Sequence, residues 1–127
     1  MNLLQVAQRA EDLDRATAFY ARLLGTTPSG VFDPPGLVFF QVGTVRLLLE
    51  RGAPGALIYL EVPDVRLAAE QCRTEGIEIV AEPHVIFRHA DDSLGPAGTD
   101  EWMTFIRDSE GNTVALVSRE QPASDPE

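Results

Sequence analysis

The chain has 127 residues, 44% hydrophobic and 24% charged, with a net charge of −10, no lysine and one cysteine. That is one domain's worth of soluble sequence, able to bury roughly two-thirds of its unfolded surface without disulfides or a structural metal. No apolar run approaches the ~20 residues of a membrane span, and a surface this acidic excludes nucleic acid as a partner. Residues 1–63 carry five Arg against six acids, and 64–127 five Arg against fourteen. The acidity reads as solubility.

The first strand spans residues 3–10. Met1-Asn2-Leu3-Leu4 runs straight into it, so no secretory leader is expected, and lone Cys72 fits a reducing cytoplasm. Asp12 then offers an N-cap oxygen, and Leu13, Ala16, Tyr20, Leu23 and Leu24 recur at helical spacing up to Gly25. A weakly marked strand falls near Val31-Phe32, followed by a turn at Asp33-Pro34-Pro35-Gly36 and a hairpin of Leu37–Val42 and Val45–Glu50. Arg51 to Gly55 reads as a flexible joint. Next come a strand at 57–62, a helix from Asp64 with Val65, Ala68, Ala69 and Cys72 on its buried stripe, and a strand from Ile77 to about Phe87. Residues 90–100 form a loop long enough to act as a lid. Strands at 101–107 and 113–118 flank a tight turn at Asp108–Asn112, and the polar tail 120–127 is expected to be disordered.

The pattern occurs twice. Gln5 to Leu13 recurs as Leu57 to Val65, each copy an apolar run, a capping Asp and a helix ended by glycine, at Gly25 and Gly76. The expected fold is α+β, two βαβββ modules (1–50 and 56–119, joined by 51–55) related by a pseudo-twofold, with a site at their junction.

The segment Gln5 to Gly25, with Phe19-Tyr20 and Leu24-Gly25, together with Phe105-Ile106-Arg107-Asp108-Ser109-Glu110-Gly111-Asn112, resembles the vicinal oxygen chelate superfamily. That group includes glyoxalase I, methylmalonyl-CoA epimerase, extradiol dioxygenases, fosfomycin-modifying enzymes and bleomycin-binding proteins. The resemblance spans about residues 3–118 and implies curved mixed sheets enclosing a cleft, and commonly a homodimer. It specifies the fold far better than the reaction.

In the family's enzymes a divalent metal is held by the first residue of each module's opening strand and a glutamate on each module's last strand. Carried over, these positions are Gln5, Leu57, Ala115, and either Leu48 or Glu50, which share a strand face. Gln5 could serve, whereas Leu57 and Ala115 have no donor atom. Too few ligands remain for Mg²⁺, Mn²⁺, Zn²⁺ or Fe²⁺, and the apolar replacements favour an organic ligand. No metal and no cofactor is expected.

Period-two alternation places Ala7 and Arg9 beside Gln5, Tyr59 and Glu61 beside Leu57, and Leu48 and Arg46 beside Glu50. Arg9 and Glu61 either pair with each other or touch ligand. Gln8 falls on the face that should pack against the helix. His84 and His89 could replace lost metal ligands, although five residues apart they fall on opposite strand faces and read as exposed. Trp102 follows the 90–100 loop and could stack on a flat ligand, whereas Cys72 reads as packing.

The expectation is a cytoplasmic, homodimeric small-molecule binder that sequesters a partly apolar or aromatic ligand, as in antibiotic resistance. Its ligand contacts would be Gln5, Arg9, Arg46, Leu48, Glu50, Leu57, Tyr59, Glu61, Trp102 and Ala115. The alternative is a metal-dependent lyase or epimerase working through an enediolate, with Glu50 or Glu61 moving the proton and Gln5, Glu50, His84 and His89 as candidate ligands. A peptide-binding role for the same cleft is a third reading.

Overall fold

The computed structural model describes residues 1–122 and contains two helices and eight strands. Both strand sets have the same plan. Strands β1 (Gln5–Arg9), β2 (Gly30–Phe32), β3 (Leu37–Val42) and β4 (Val45–Glu50) form one mixed sheet in the order β1-β4-β3-β2. Strands β5 (Ile58–Glu61), β6 (Ile79–Arg88), β7 (Asp100–Arg107) and β8 (Thr113–Glu120) form a second, in the order β5-β8-β7-β6. In each sheet the opening strand pairs parallel with the last, and the other pairs are antiparallel. With helix α1 (Leu13–Leu24) after β1 and α2 (Val65–Thr74) after β5, the expected βαβββ pair is present.

The helices begin where capping chemistry dictates. Asp12 Oδ1 accepts from Arg15 N–H at 3.0 Å, and Asp64 Oδ1 accepts from Arg66 N–H at 2.9 Å. Gly25 ends α1 at φ 69°, a left-handed conformation that a Cβ would oppose. Leu13, Ala16 and Tyr20 of α1 are buried, as are Val38, Phe40, Leu47 and Leu49 on β3 and β4. In the second sheet Val65, Ala69 and Cys72 of α2 are buried, with Thr104, Ile106, Val114, Leu116 and Ser118 on one face of β7 and β8. Each large apolar side chain in these layers contributes about 1.5–3 kcal/mol. Burial also pushes the Cys72 thiol up, consistent with packing rather than nucleophilic use.

The described residues divide into two compact units, Met1–Leu57 with Asp108–Asn112, and Ile58–Arg107 with residues 113–122. The boundary thus falls after Leu57, beyond the expected joint at 51–55, and the Asp108–Asn112 turn packs with the first unit. Gln8 gives the physical reason for the shift. Its buried carboxamide donates to Ala56 O at 2.8 Å and accepts from Ala56 N–H at 2.7 Å, so the segment after β4 is held like a paired strand. Ala53 in the same segment is buried too. A polar side chain on the helix-facing row is explained by that two-point grip.

Strand β8 continues to Glu120, two residues past the expected end, which places Arg119 on the sheet. Of the tail expected to be disordered, Glu120 is therefore strand, and residues 123–127 lie outside the described residues. Among the described residues no helix is long and apolar enough to cross a membrane.

Candidate functional site

The parallel registers decide the open question at β4. Ala7, two residues after Gln5, pairs with Leu48, and Tyr59, two residues after Leu57, pairs with Ala115. Leu48 is therefore the counterpart of Ala115. Glu50 lies two residues further on, opposite Arg9. By register Gln5, Leu48, Leu57 and Ala115 are the counterparts of the four metal positions that the resemblance implies, and three of them have no donor atom. The fourth is engaged, because Gln5 Oε1 accepts from Arg46 Nε at 3.1 Å. A guanidinium on the remaining oxygen repels a divalent cation, and among the described residues no three His, Cys, Asp or Glu converge on a metal-sized point. This donor set does not fit a metal.

Several expected ligand contacts require correction. Leu48 and Ala115 are buried, at 7% and 0% exposure, so neither presents open surface. Leu57 precedes β5, packs with the first unit and is 48% exposed. Trp102 sits on the face opposite Ala115: it pairs with Ser118, whose hydroxyl accepts from Val65 N–H at the start of α2, and the Arg66 guanidinium lies 4.6 Å from its ring centroid. The strand alternation that aims Met103 and Phe105 one way aims the indole the other. The Glu61 carboxylate accepts from Arg119 Nη1 at 3.1 Å within the second unit. Arg9 is exposed, with no ion pair among the described residues, and its carbonyl accepts from Asn112 Nδ2 at 2.8 Å.

The histidines diverge. His84 is exposed as expected, and its Nδ1 faces Glu82 O at 2.8 Å on its own strand. His89 is buried rather than exposed. Its Nε2 lies within hydrogen-bond distance of Glu101 Oε1, at 3.0 Å, and its ring lies 4.7 Å from that of Phe87. β-Bulges in β6 shift the register that strict alternation assumes.

Each unit carries a trough of ligand size. In the second unit Tyr59, Phe87, Leu94, Met103 and Val117 line a space of about 440 Å³ with Glu61, Glu101 and Arg119 at its polar side. The polar groups run in sequence, Glu61 to Arg119 at 3.1 Å, Arg119 to Glu101 at 3.5 Å and Glu101 to His89 at 3.0 Å. The 89–99 loop closes against this row through His89 N–H to Thr99 O at 2.9 Å and Gly98 N–H to His89 O at 2.8 Å. Gly95 is required by the close approach: a Cβ there would lie 2.8 Å from His89 Cε1 and 3.0 Å from Arg119 Nε. In the first unit Ser29, Gly30, Phe32, Leu37, Phe39 and Arg46 line a space of about 460 Å³.

Sequence reasoning identified Tyr59, Glu61 and Arg46 in these walls but missed Leu94, Glu101, Met103, Val117 and Arg119. The signal was available, because Ala115, Val117 and Arg119 continue one period-two face, but ending the strand at Ser118 hid Arg119.

Paired βαβββ units with this strand order define a class in which a common scaffold carries many chemistries. The chain belongs to the Glyoxalase/Bleomycin resistance protein/Dioxygenase superfamily, whose sequence profile matches residues 2–116. It is 30% identical over 122 residues to a glyoxylase-like domain-containing protein of Didymella fabae, covering 87% of this chain and 88% of that one. It is also similar to the crystal structure of a lactoylglutathione lyase from Agrobacterium tumefaciens, with 26% identity, TM-score 0.65 and coverage of 91% and 92%. A superfamily member from Alicyclobacillus acidocaldarius shares the fold at 16% identity and TM-score 0.64, with coverage of 91% and 89%.

Proposed function

We propose that this protein is a metal-independent small-molecule binder that sequesters a partly apolar or aromatic ligand, in the manner of the superfamily's resistance proteins. The observation that carries this reading is the donor set: Leu48, Leu57 and Ala115 stand at three metal positions and Arg46 engages Gln5 at the fourth. The Tyr59 trough supports it, being mostly apolar with a few convergent polar groups, which is the usual composition of an organic ligand site. Tyr59 would stack on the ligand while Glu61 and Glu101 accept its donors. The working protein is a cytoplasmic homodimer, for which light scattering should report twice 13.9 kDa.

The test combines metal and ligand titrations. A cation bound at one hundred times its Kd stabilises a fold by about 2.7 kcal/mol, which is several degrees in melting temperature. Ni²⁺, Zn²⁺, Mn²⁺ and Co²⁺ should produce no such rise. A panel of polycyclic and glycopeptide antibiotics should include at least one saturable binder, recovered chemically unchanged and weakened by Tyr59→Ala. Metal-dependent turnover of a thiol adduct or an acyl-CoA, with no binder in the panel, would replace this reading with the alternative of a metal-dependent lyase or epimerase.

A further inference from the structure

The trough on the first unit has a chemistry of its own, set by Arg46. This arginine is the trough's only charged residue. Its Nε donates to Gln5 Oε1 at 3.1 Å, and its guanidinium carbon lies 5.8 Å from the centroid of the Phe39 ring. No carboxylate partners it among the described residues, although the chain carries twenty acids. The Nη1–Nη2 edge therefore remains free for an acceptor, and Gln5 and Phe39 limit how the group can swing.

The apolar half is equally built. Phe32 and Phe39 meet edge to face with centroids 5.9 Å apart and ring planes at 80°. Gly30 lets Phe32 fold back across the strand, since a Cβ there would lie 2.9 Å from that ring. Phe32 nevertheless stays 53% exposed, more than a ring left without a partner would favour. Leu37 extends the apolar wall.

The geometry points to this trough as a site for an organic monocarboxylate with a flat apolar body, the carboxylate on the Arg46 Nη edge and the body against Phe32, Leu37 and Phe39. A fixed guanidinium offers two parallel donors that match a carboxylate's two oxygens. In this protein the cation beside the first metal position is a side chain, and the anion it takes is the ligand's own. The inference rests on the reading of these sheet faces as small-molecule sites and adds the ligand class for one of them.

The protein's overall charge makes the test selective. A body of net charge −10 favours cationic ligands at long range, and at physiological salt that field is screened beyond about 8 Å. A preference for an anion therefore has to come from Arg46 locally. Naphthoate, naphthalenemethanol and naphthylmethylammonium share one ring system and differ in charge, and equilibrium dialysis ranks them. Naphthoate should bind at least about tenfold tighter than the alcohol, a difference within reach of one charge-assisted bidentate contact, with the ammonium weakest. Arg46→Gln should bring naphthoate down to the alcohol's affinity, Arg46→Lys should retain part of the preference, and Tyr59→Ala should leave it intact. Gln5→Leu should reduce it without abolishing it. Equal affinity of naphthoate and alcohol for the unmodified protein, failure of all three to bind, or a preference that survives Arg46→Gln would each overturn the assignment. The unmodified protein alone decides the first two. None of these outcomes touches the antibiotic-panel result at Tyr59, so failure here is distinguishable from failure of the broader reading.

Discussion

Tyr20 and Asp108, 88 positions apart in sequence, share a buried hydrogen bond of 2.6 Å between the phenolic oxygen and Oδ2. Asp108 Oδ1 also accepts from Glu110 N–H and Asn112 N–H, each at 2.8 Å, so one carboxylate organises the whole turn and ties it to α1. Burial, reinforced by Asp108, pushes the Tyr20 phenol up and keeps it a neutral donor at every physiological pH. Tyr20→Phe preserves the ring and deletes only that donor. It should cost about 1.5–3 kcal/mol, the range for hydrogen bonds to charged groups, measured by urea unfolding.

Glu110 supplies a pH-dependent element of the same turn. Burial alone would raise its carboxyl, but the Arg15 guanidinium, the Asp12 N–H and the Ser109 hydroxyl outweigh burial and bring it down to about 2. A folded-state value below the unfolded one stabilises the fold fully above the unfolded value near 4.5, and the contribution is lost as pH falls towards 2. Arg15 is half exposed, so solvent screening limits the effect to about 1–2 kcal/mol. Glu110→Gln should be less stable than the unmodified protein at pH 7, and the gap should close by pH 2. A gap independent of pH would refute the assignment.

Gln8 lies at 0% exposure with both carboxamide ends bound to Ala56. Gln8→Leu keeps the volume roughly constant but leaves the Ala56 N–H and C=O without those partners, at a cost of about 1–3 kcal/mol. Gln8→Glu retains the acceptor and loses the donor, and it also places a carboxylate in the core, so it should be no better. Faster amide exchange at Ala56 in both variants would locate the damage.

The fold was legible because its signals are local and repeated. Asp12 and Asp64 announce the helices, Gly25 and Gly76 their ends, and period-two runs fix β1, β4, β5 and β8 to within a residue or two. What was not legible depends on pairing. The equivalence of Leu48 and Ala115 follows only from the parallel registers, and Gln8 is a puzzle until Ala56 is seen opposite it. His89 was misjudged because the bulges of β6 move it out of simple alternation and beside Glu101. Trp102 was misjudged for a simpler reason. It was placed by nearness to the 90–100 loop, when counting from Ala115 through its partner Phe105 puts residue 102 on the other face.

That placement makes Trp102 a reporter for α2 rather than for the Tyr59 trough. The indole is covered by the Arg66 guanidinium, and its row, with Ser118 and Thr104, is the one beneath the helix. Ligands that fill the Tyr59 trough touch Glu101 and Met103 on the same strand, but their side chains point away from the indole. Binding should therefore leave Trp102 emission nearly unchanged, and Trp102→Phe should alter affinity by less than about twofold, well under the 1–3 kcal/mol that a lost stacking contact costs. Arg66→Ala should do the opposite, exposing the indole and moving its emission to longer wavelength while leaving affinity alone. A saturable ligand-induced change in emission that persists in Arg66→Ala, joined to a tenfold loss of affinity in Trp102→Phe, would put the ligand on the helix-bearing face and remove the Tyr59 trough as its site.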